Sequence, residues 1–220
     1  MLKSVLAKCP QFPQLNIDSG KYSLKKEFED VVAVVRSMPG PVAVLGHSYG
    51  GVCAIEAALL SKKISQLVLY EPPIQDLDHA GVADTMEKMI LSGQRDQAFV
   101  TFLRDVVRVS PTGIDLMRSR PDWKDRVSGV DVQLRELRAL SKYRFQQKKV
   151  KKLNVPTLLI TGSRTASPQL KEAIQTLMTA LPNRTVAILE GQEHNAMDNI
   201  PKDFADIVTK FLLGGTIPGN

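Results

Sequence analysis

The sequence predicts an α/β fold built on a parallel sheet with helices on both faces. Short apolar runs bounded by Gly and Pro alternate with segments striped at helical spacing, the pattern of strand–helix–strand units whose strands run the same way. One strand passes directly into a helix through a glycine-punctuated turn, Val-Ala-Val-Leu-Gly-His-Ser-Tyr-Gly-Gly from Val42 to Gly51. In such a sheet the functional residues gather at the carboxyl ends of the strands. A chain of 220 residues suits one well-buried domain, so residues 1–220 are read as a single unit.

Taken in order, residues 1–22 are irregular, broken by Pro10, Pro13, Asn16, Asp18 and Gly20. Ser23 is the expected N-cap of an amphipathic helix in which Leu24, Phe28, Val31, Val32 and Val35 recur at helical spacing up to Met38, stopped by Pro39-Gly40. The Val42 strand follows at once. The next helix carries Val52, Ile55 and Leu59 on one face, and Gln66 to Tyr70 reads as a second buried strand halted by Pro72 and Pro73. Residues 74–152 hold no convincing strand but several helical patterns, the clearest being Phe99, Phe102, Leu103, Val106 and Val107, so they are read as a helical insertion. Alternation then resumes. Pro156 to Thr161 is a strand, Leu170, Ile174, Leu177 and Leu181 stripe a helix, and Thr185 to Leu189 is another strand. Pro201 opens a last helix with Phe204, Ile207, Val208, Phe211 and Leu212 facing inward, before a Gly-rich tail expected to fray.

Composition removes several function classes. A hydrophobic content of 43% with 24% charged residues is that of a soluble globular chain, and no apolar run approaches the roughly 18 residues of a membrane span. The opening residues have too short an apolar stretch for a secretory signal, so the expectation is a cytoplasmic protein with no membrane partner. Two cysteines, Cys9 and Cys53, form no disulfide framework, and Cys53 is expected as a buried thiol. The net charge of +6 is spread along the chain. Its one dense cluster, Lys148, Lys149, Lys151 and Lys152, lacks interleaved aromatics and reads as a solvated helix end rather than a nucleic-acid surface. Clustered His or Cys ligands and Gly-rich phosphate loops are missing from the sequence, so neither a metal nor another cofactor is expected.

The chemistry centres on Ser48. Glycines two residues either side of it, Gly46 and Gly50, let strand and helix cross closely while the serine occupies a strained backbone conformation with its hydroxyl pushed above the sheet edge. A serine hydroxyl needs a base. Of the three histidines, His47 precedes the serine and should pack under the turn, and His79 falls in the helical insertion with a surface role. His194 lies in Gly191-Gln-Glu-His-Asn195 directly after the final strand, at the same sheet edge as Ser48.

With Gly-His-Ser-Tyr-Gly-Gly, the following Leu-Val-Leu-Tyr-Glu-Pro-Pro, the strand ending Thr-Gly-Ser, and Gly-Gln-Glu-His-Asn-Ala-Met in this order and spacing, the chain resembles an α/β-hydrolase over roughly residues 23–213. The resemblance implies a parallel-sheet hydrolase fold, a helical cap over the active site at 74–152, and a nucleophile, base and acid acting together. Two departures stand out. The loop after the post-cap strand, Gly162 to Pro168, has no carboxylate where the family usually carries its acid. An alternative family position, the end of the strand after the elbow helix, here holds Glu71; a glutamate before Pro-Pro can also cap a turn. The family builds its oxyanion hole from the N–H after the nucleophile, here Tyr49, plus an N–H from an earlier His-Gly loop, and no His-Gly occurs in the first 47 residues. The expected fold is therefore amino-terminally shortened, leaving the Val42 strand on a sheet edge. Residues 1–22 cover that edge, a second copy of the chain pairs with it as a homo-oligomer, or the sequence is a shortened version of a complete hydrolase.

Two functions follow as expectations. The first is a serine hydrolase acting on an ester, lactone or similar small acyl substrate, with Ser48, His194 and Glu71 as the triad and the Tyr49 N–H as oxyanion donor. The second is a catalytically silent hydrolase or small-molecule binding module.

Overall fold

A computed structural model describes residues 22–75 and 79–217; expectations about residues 1–21, including Cys9, lie outside them. The first helix, α1 (Leu24–Ser37), begins where Ser23 caps it by accepting the Lys26 N–H, and it buries Phe28, Val32 and Val35. Strand β1 (Val42–His47) leads into α2 (Tyr49–Leu60), and β2 (Ile64–Tyr70) follows. After the helical stretch come β3 (Thr157–Gly162) and β4 (Arg184–Leu189). All pairings are parallel, in the order β1–β2–β3–β4, with His47 opposite Tyr70 and Gly162 opposite Leu189.

The two-residue alternation of strand side chains sorts them onto two cores. Leu67, Leu69 and Leu159 pack with α1, α2 and α9 (Pro168–Ala180) on one face. Val68, Tyr70, Leu158, Ile160, Ala187 and Leu189 meet Phe204 and Phe211 of α11 (Pro201–Leu212) on the other. Helix α2 departs from the single apolar face expected of it. Val52, Cys53, Ala54, Ile55, Ala57 and Ala58 are all buried and Leu59 only partly so, because the helix is wedged between the sheet and α1. Along β1, Leu45 is 42% exposed although its partner Val68 is buried, as expected of a strand paired on one side among the described residues.

Residues 79–150 are helical: α3 (Ala80–Leu91), α4 (Arg95–Thr101), a π-helical turn Phe102–Val107, α5 (Pro111–Arg118), α6 (Trp123–Ser128), α7 (Val130–Leu140) and α8 (Gln147–Val150). The apolar stripe from Phe99 to Val107 spans the α4–π junction, where the wider turn ends at Arg108 in a left-handed conformation. This segment has its own core of Met86, Phe99, Leu103, Ile114, Val130 and Leu137. In and after α8, Lys148, Lys149, Lys151 and Lys152 are exposed while Val150 and Leu153 are buried.

The tail corrects an expectation. It does not fray directly after α11: Gly214, at φ 76°, lets its N–H reach Phe211 O at 3.0 Å and the Gly215 N–H reach Lys210 O at 2.8 Å, a Schellman closure. The chain then turns back and buries Ile217 against the α11 core.

Candidate functional site

Ser48 sits between β1 and α2 at φ 52° and ψ −124°, a conformation L-residues rarely adopt. Two contacts hold it. Its N–H donates to Tyr70 O at 2.8 Å, extending the β1–β2 ladder by one bond, and its carbonyl accepts the Gly51 N–H at 2.8 Å. The glycine requirement is not quite the one read from the motif. A Cβ on Gly46 would stand 2.4 Å from Gly50 O, and one on Gly51 would stand 2.8 Å from Pro72 Cβ, whereas one on Gly50 would meet nothing within 4 Å. The close crossing therefore runs through Gly46 and Gly51. The Tyr49 N–H that follows Ser48 lies in the first turn of α2, where amides have no intrahelical acceptor and the helix dipole is positive. Its side chain is buried, and its hydroxyl is hydrogen-bonded to that of Tyr22.

Glu71, the first residue past β2, also has a left-handed backbone, φ 45°, and is fully buried. Its carboxylate is completely partnered. Oε1 accepts Thr161 Oγ1 at 2.7 Å, the Gly162 N–H at 2.9 Å and Thr165 Oγ1 at 2.5 Å; Oε2 accepts His194 Nδ1–H at 2.6 Å. Burial pushes the carboxyl up, but the bond and charge of His194 together with the Thr165 and Gly162 donors outweigh it and hold the group below its ordinary value. Glu71 is thus an ion, which makes Nδ1 of His194 the protonated nitrogen and leaves Nε2 as the acceptor. The loop without a carboxylate, Gly162–Pro168, grips a carboxylate carried in from the neighbouring strand.

His194 is 6% exposed and is held from three further directions. His47 Nε2–H donates to its carbonyl at 2.8 Å, the Tyr70 hydroxyl donates to Glu193 O, and the same hydroxyl accepts the Ala196 N–H at 3.1 Å. Burial first, and the charge of His194 second, pull His47 down to about 3, so it stays neutral near pH 7. The residue preceding Ser48 and the residue whose carbonyl holds the Ser48 amide both bind the loop bearing His194. They bring serine and imidazole to one edge of the sheet, with the Glu71 carboxylate on the far nitrogen of the ring. An imidazole whose Nδ1–H is fixed on a carboxylate can accept a proton at Nε2 and be stabilised as a cation. His79, by contrast, stands at the start of α3.

Sequence reasoning missed the hydroxyls of Thr161 and Thr165, the carbonyl bond from His47 and the bracing by Tyr70; each joins residues 90 to 147 positions apart without any local pattern. A cavity of about 40 Å³ beside Glu193 and Asn195 separates this loop from α5, and a shallow one of about 480 Å³ lies between Arg108 and the start of α9; Ser48 lines neither. Among the described residues no cluster of three or more His, Cys, Asp or Glu could hold a metal ion, and no helix is long and apolar enough to cross a membrane.

A family model described as the alpha/beta hydrolase family matches residues 15–207. A monoglyceride lipase homolog of monkeypox virus is 26% identical over 185 residues, and the match covers 81% of this chain and 64% of the viral protein. The chain therefore spans under two thirds of the length of that relative. Among solved structures, an alpha/beta hydrolase of Sphaerobacter thermophilus aligns with a TM-score of 0.73 at 24% identity over 89% of this chain and 76% of that one. A lipase-esterase related protein of Clostridium acetobutylicum aligns with a TM-score of 0.65 at 16% identity over 90% and 80%.

Proposed function

Because the chain belongs to the α/β-hydrolase family, we propose that it is a serine hydrolase that cleaves esters or lactones through an acyl-enzyme on Ser48. The observation that carries this reading is the Glu71–His194 pair, an ionised, fully partnered carboxylate 2.6 Å from Nδ1 of an imidazole held at the elbow. His194 Nε2 takes the Ser48 proton as Oγ attacks the acyl carbon, and Glu71 stabilises the imidazolium. The Tyr49 N–H, at the positive end of α2, faces the developing oxyanion. His194 then returns the proton to the leaving alcohol and activates water to release the acid. The viral relative's name makes monoacylglycerols a reasonable first ester to supply. Residues 79–150, with their separate core, correspond in this reading to a cap over the acyl site.

A serine-directed fluorophosphonate tests the proposal. The native protein is expected to be labelled and Ser48→Ala not. A folded sample that resists labelling would replace the enzyme with a binding module.

A further inference from the structure

The helical segment meets the loop bearing His194 through charge rather than through apolar packing. Its core and the α11 core are separate clusters, and the cavity of about 40 Å³ lies between the segment and the loop, with Val109, Gly113, Met117 and Arg120 on one side and Glu193, Asn195 and Asp198 on the other. Across this seam run four charged side chains. Arg126 of α6 places Nη2 3.1 Å from Asp198 Oδ2, and Arg120 places Nη2 3.8 Å from Asp198 Oδ1 and Nη1 3.4 Å from its carbonyl. Asp122 fixes both guanidinium groups from behind, at 2.8 Å to Arg126 Nε and 3.3 Å to Arg120 Nε. Asp198 belongs to the short helix α10 (Ala196–Asn199), four residues beyond His194.

We propose that Arg120, Asp122, Arg126 and Asp198 form an ionic latch that docks the helical segment onto the 190–199 loop and so positions the His194 imidazole against Ser48. They are positioning residues. None belongs to the Ser48, His194 and Glu71 set, and each acts through the backbone on which His194 is carried. The network balances two cations with two anions. Arg126 and Asp198 are 22% and 23% exposed, so their attraction is screened less than that of a surface pair, and each guanidinium is held by two acceptors rather than swinging freely. With a cavity beside them in place of packed side chains, loss of one charge frees α10 from the helical segment, while the bonds from Glu71, His47 and Tyr70 still tie the preceding residues to the sheet. The catalytic consequence rests on the hydrolase reading above; the docking itself does not.

The test is hydrogen–deuterium exchange of residues 190–200 in the intact chain, alongside the fluorophosphonate labelling rate. Arg126→Gln should accelerate exchange in that loop about tenfold and slow labelling about five- to tenfold, as expected for loss of one charge-assisted bond, and Asp198→Asn, which faces both arginines, should do at least as much. The double variant should go no further than Asp198→Asn alone. With an ester substrate, kcat should fall more than KM rises. Unchanged exchange in both single variants, or additive effects in the double variant, overturns the latch. If the native protein is not labelled, the hydrolase reading fails, and the exchange measurement still decides whether the latch exists.

Discussion

Replacing Glu71 by Gln changes one atom's chemistry while keeping its shape, and the surroundings dictate how the new side chain must sit. Three donors converge on Oε1, from Thr161, Gly162 and Thr165, so the amide oxygen is forced into that position and the NH2 group faces His194. At 2.6 Å an N–H cannot oppose another N–H, so the imidazole must present a bare Nδ1 and carry its proton on Nε2. That is the wrong tautomer for accepting the Ser48 proton, and such an inversion costs on the order of 10⁴ in turnover, about 5.5 kcal/mol on the barrier. Folding should suffer less. The exchange turns four charge-assisted bonds into neutral ones but also removes the cost of burying a charge, a net loss of about 1.5 to 3 kcal/mol, so the variant should remain folded and be silent. Steady-state hydrolysis of a short-chain ester, paired with urea unfolding, separates the two effects. Turnover of Glu71→Gln within tenfold of the native rate would refute the assignment of the tautomer and, with it, the role given to Glu71.

Further expectations follow from the same geometry. His47 is neutral when folded and protonates near its ordinary value when unfolded, so unfolded chains bind more protons below about pH 6.5, and stability should fall as pH drops from there toward about 3, by up to about 1.4 kcal/mol per pH unit. Glu71 adds to the loss once pH falls below the ordinary carboxylate range, because its folded value is depressed. Urea midpoints across pH should show His47→Gln with a shallower acid decline than the native protein, and an equal slope would contradict the burial argument. Gly46→Ala should cost about 1 to 3 kcal/mol or more, since its Cβ would stand 2.4 Å from Gly50 O, while Gly50→Ala should be neutral or stabilising by up to about 1 kcal/mol; thermal melts of the two check the order. Thr165→Val removes a 2.5 Å donor from Oε1 but leaves two others and the His194 contact, so turnover should drop severalfold, far less than for Glu71→Gln.

The sheet was legible because its strands are short, apolar and fenced by Gly and Pro, and the elbow because strand, serine and glycines are contiguous. Glu71 was legible only as one of two readings. What separates an acid from a turn cap is the Thr161, Gly162 and Thr165 cradle, and those donors lie on β3 and its loop, 90 to 94 positions away, where nothing in their own neighbourhood marks them. The exchange of Gly50 for Gly51 as the tight contact had a related cause. The motif reports spacing along the chain, while the clash is set by Pro72, which arrives from the end of β2. The stripe from Phe99 to Val107 read as a continuous helix because side chains three and four apart also line one side of a π turn. Ile217 was hidden behind two glycines that look like fraying and act as a helix terminator.

Adjacent strands β1 and β2 finish in step, each followed by a non-glycine residue at positive φ, Ser48 at 52° and Glu71 at 45°. One main-chain bond beyond the last ladder pair ties each bend to the neighbouring strand, Ser48 N–H to Tyr70 O and Glu71 N–H to Ile160 O. Ser48 and Glu71 are therefore set at the rim of the sheet, just past the strands whose Leu67, Leu69 and Leu159 are packed in the interior. Local opening at that rim should abolish the fluorophosphonate labelling proposed for Ser48 several degrees below the global melt, which labelling followed against temperature beside a thermal melt checks.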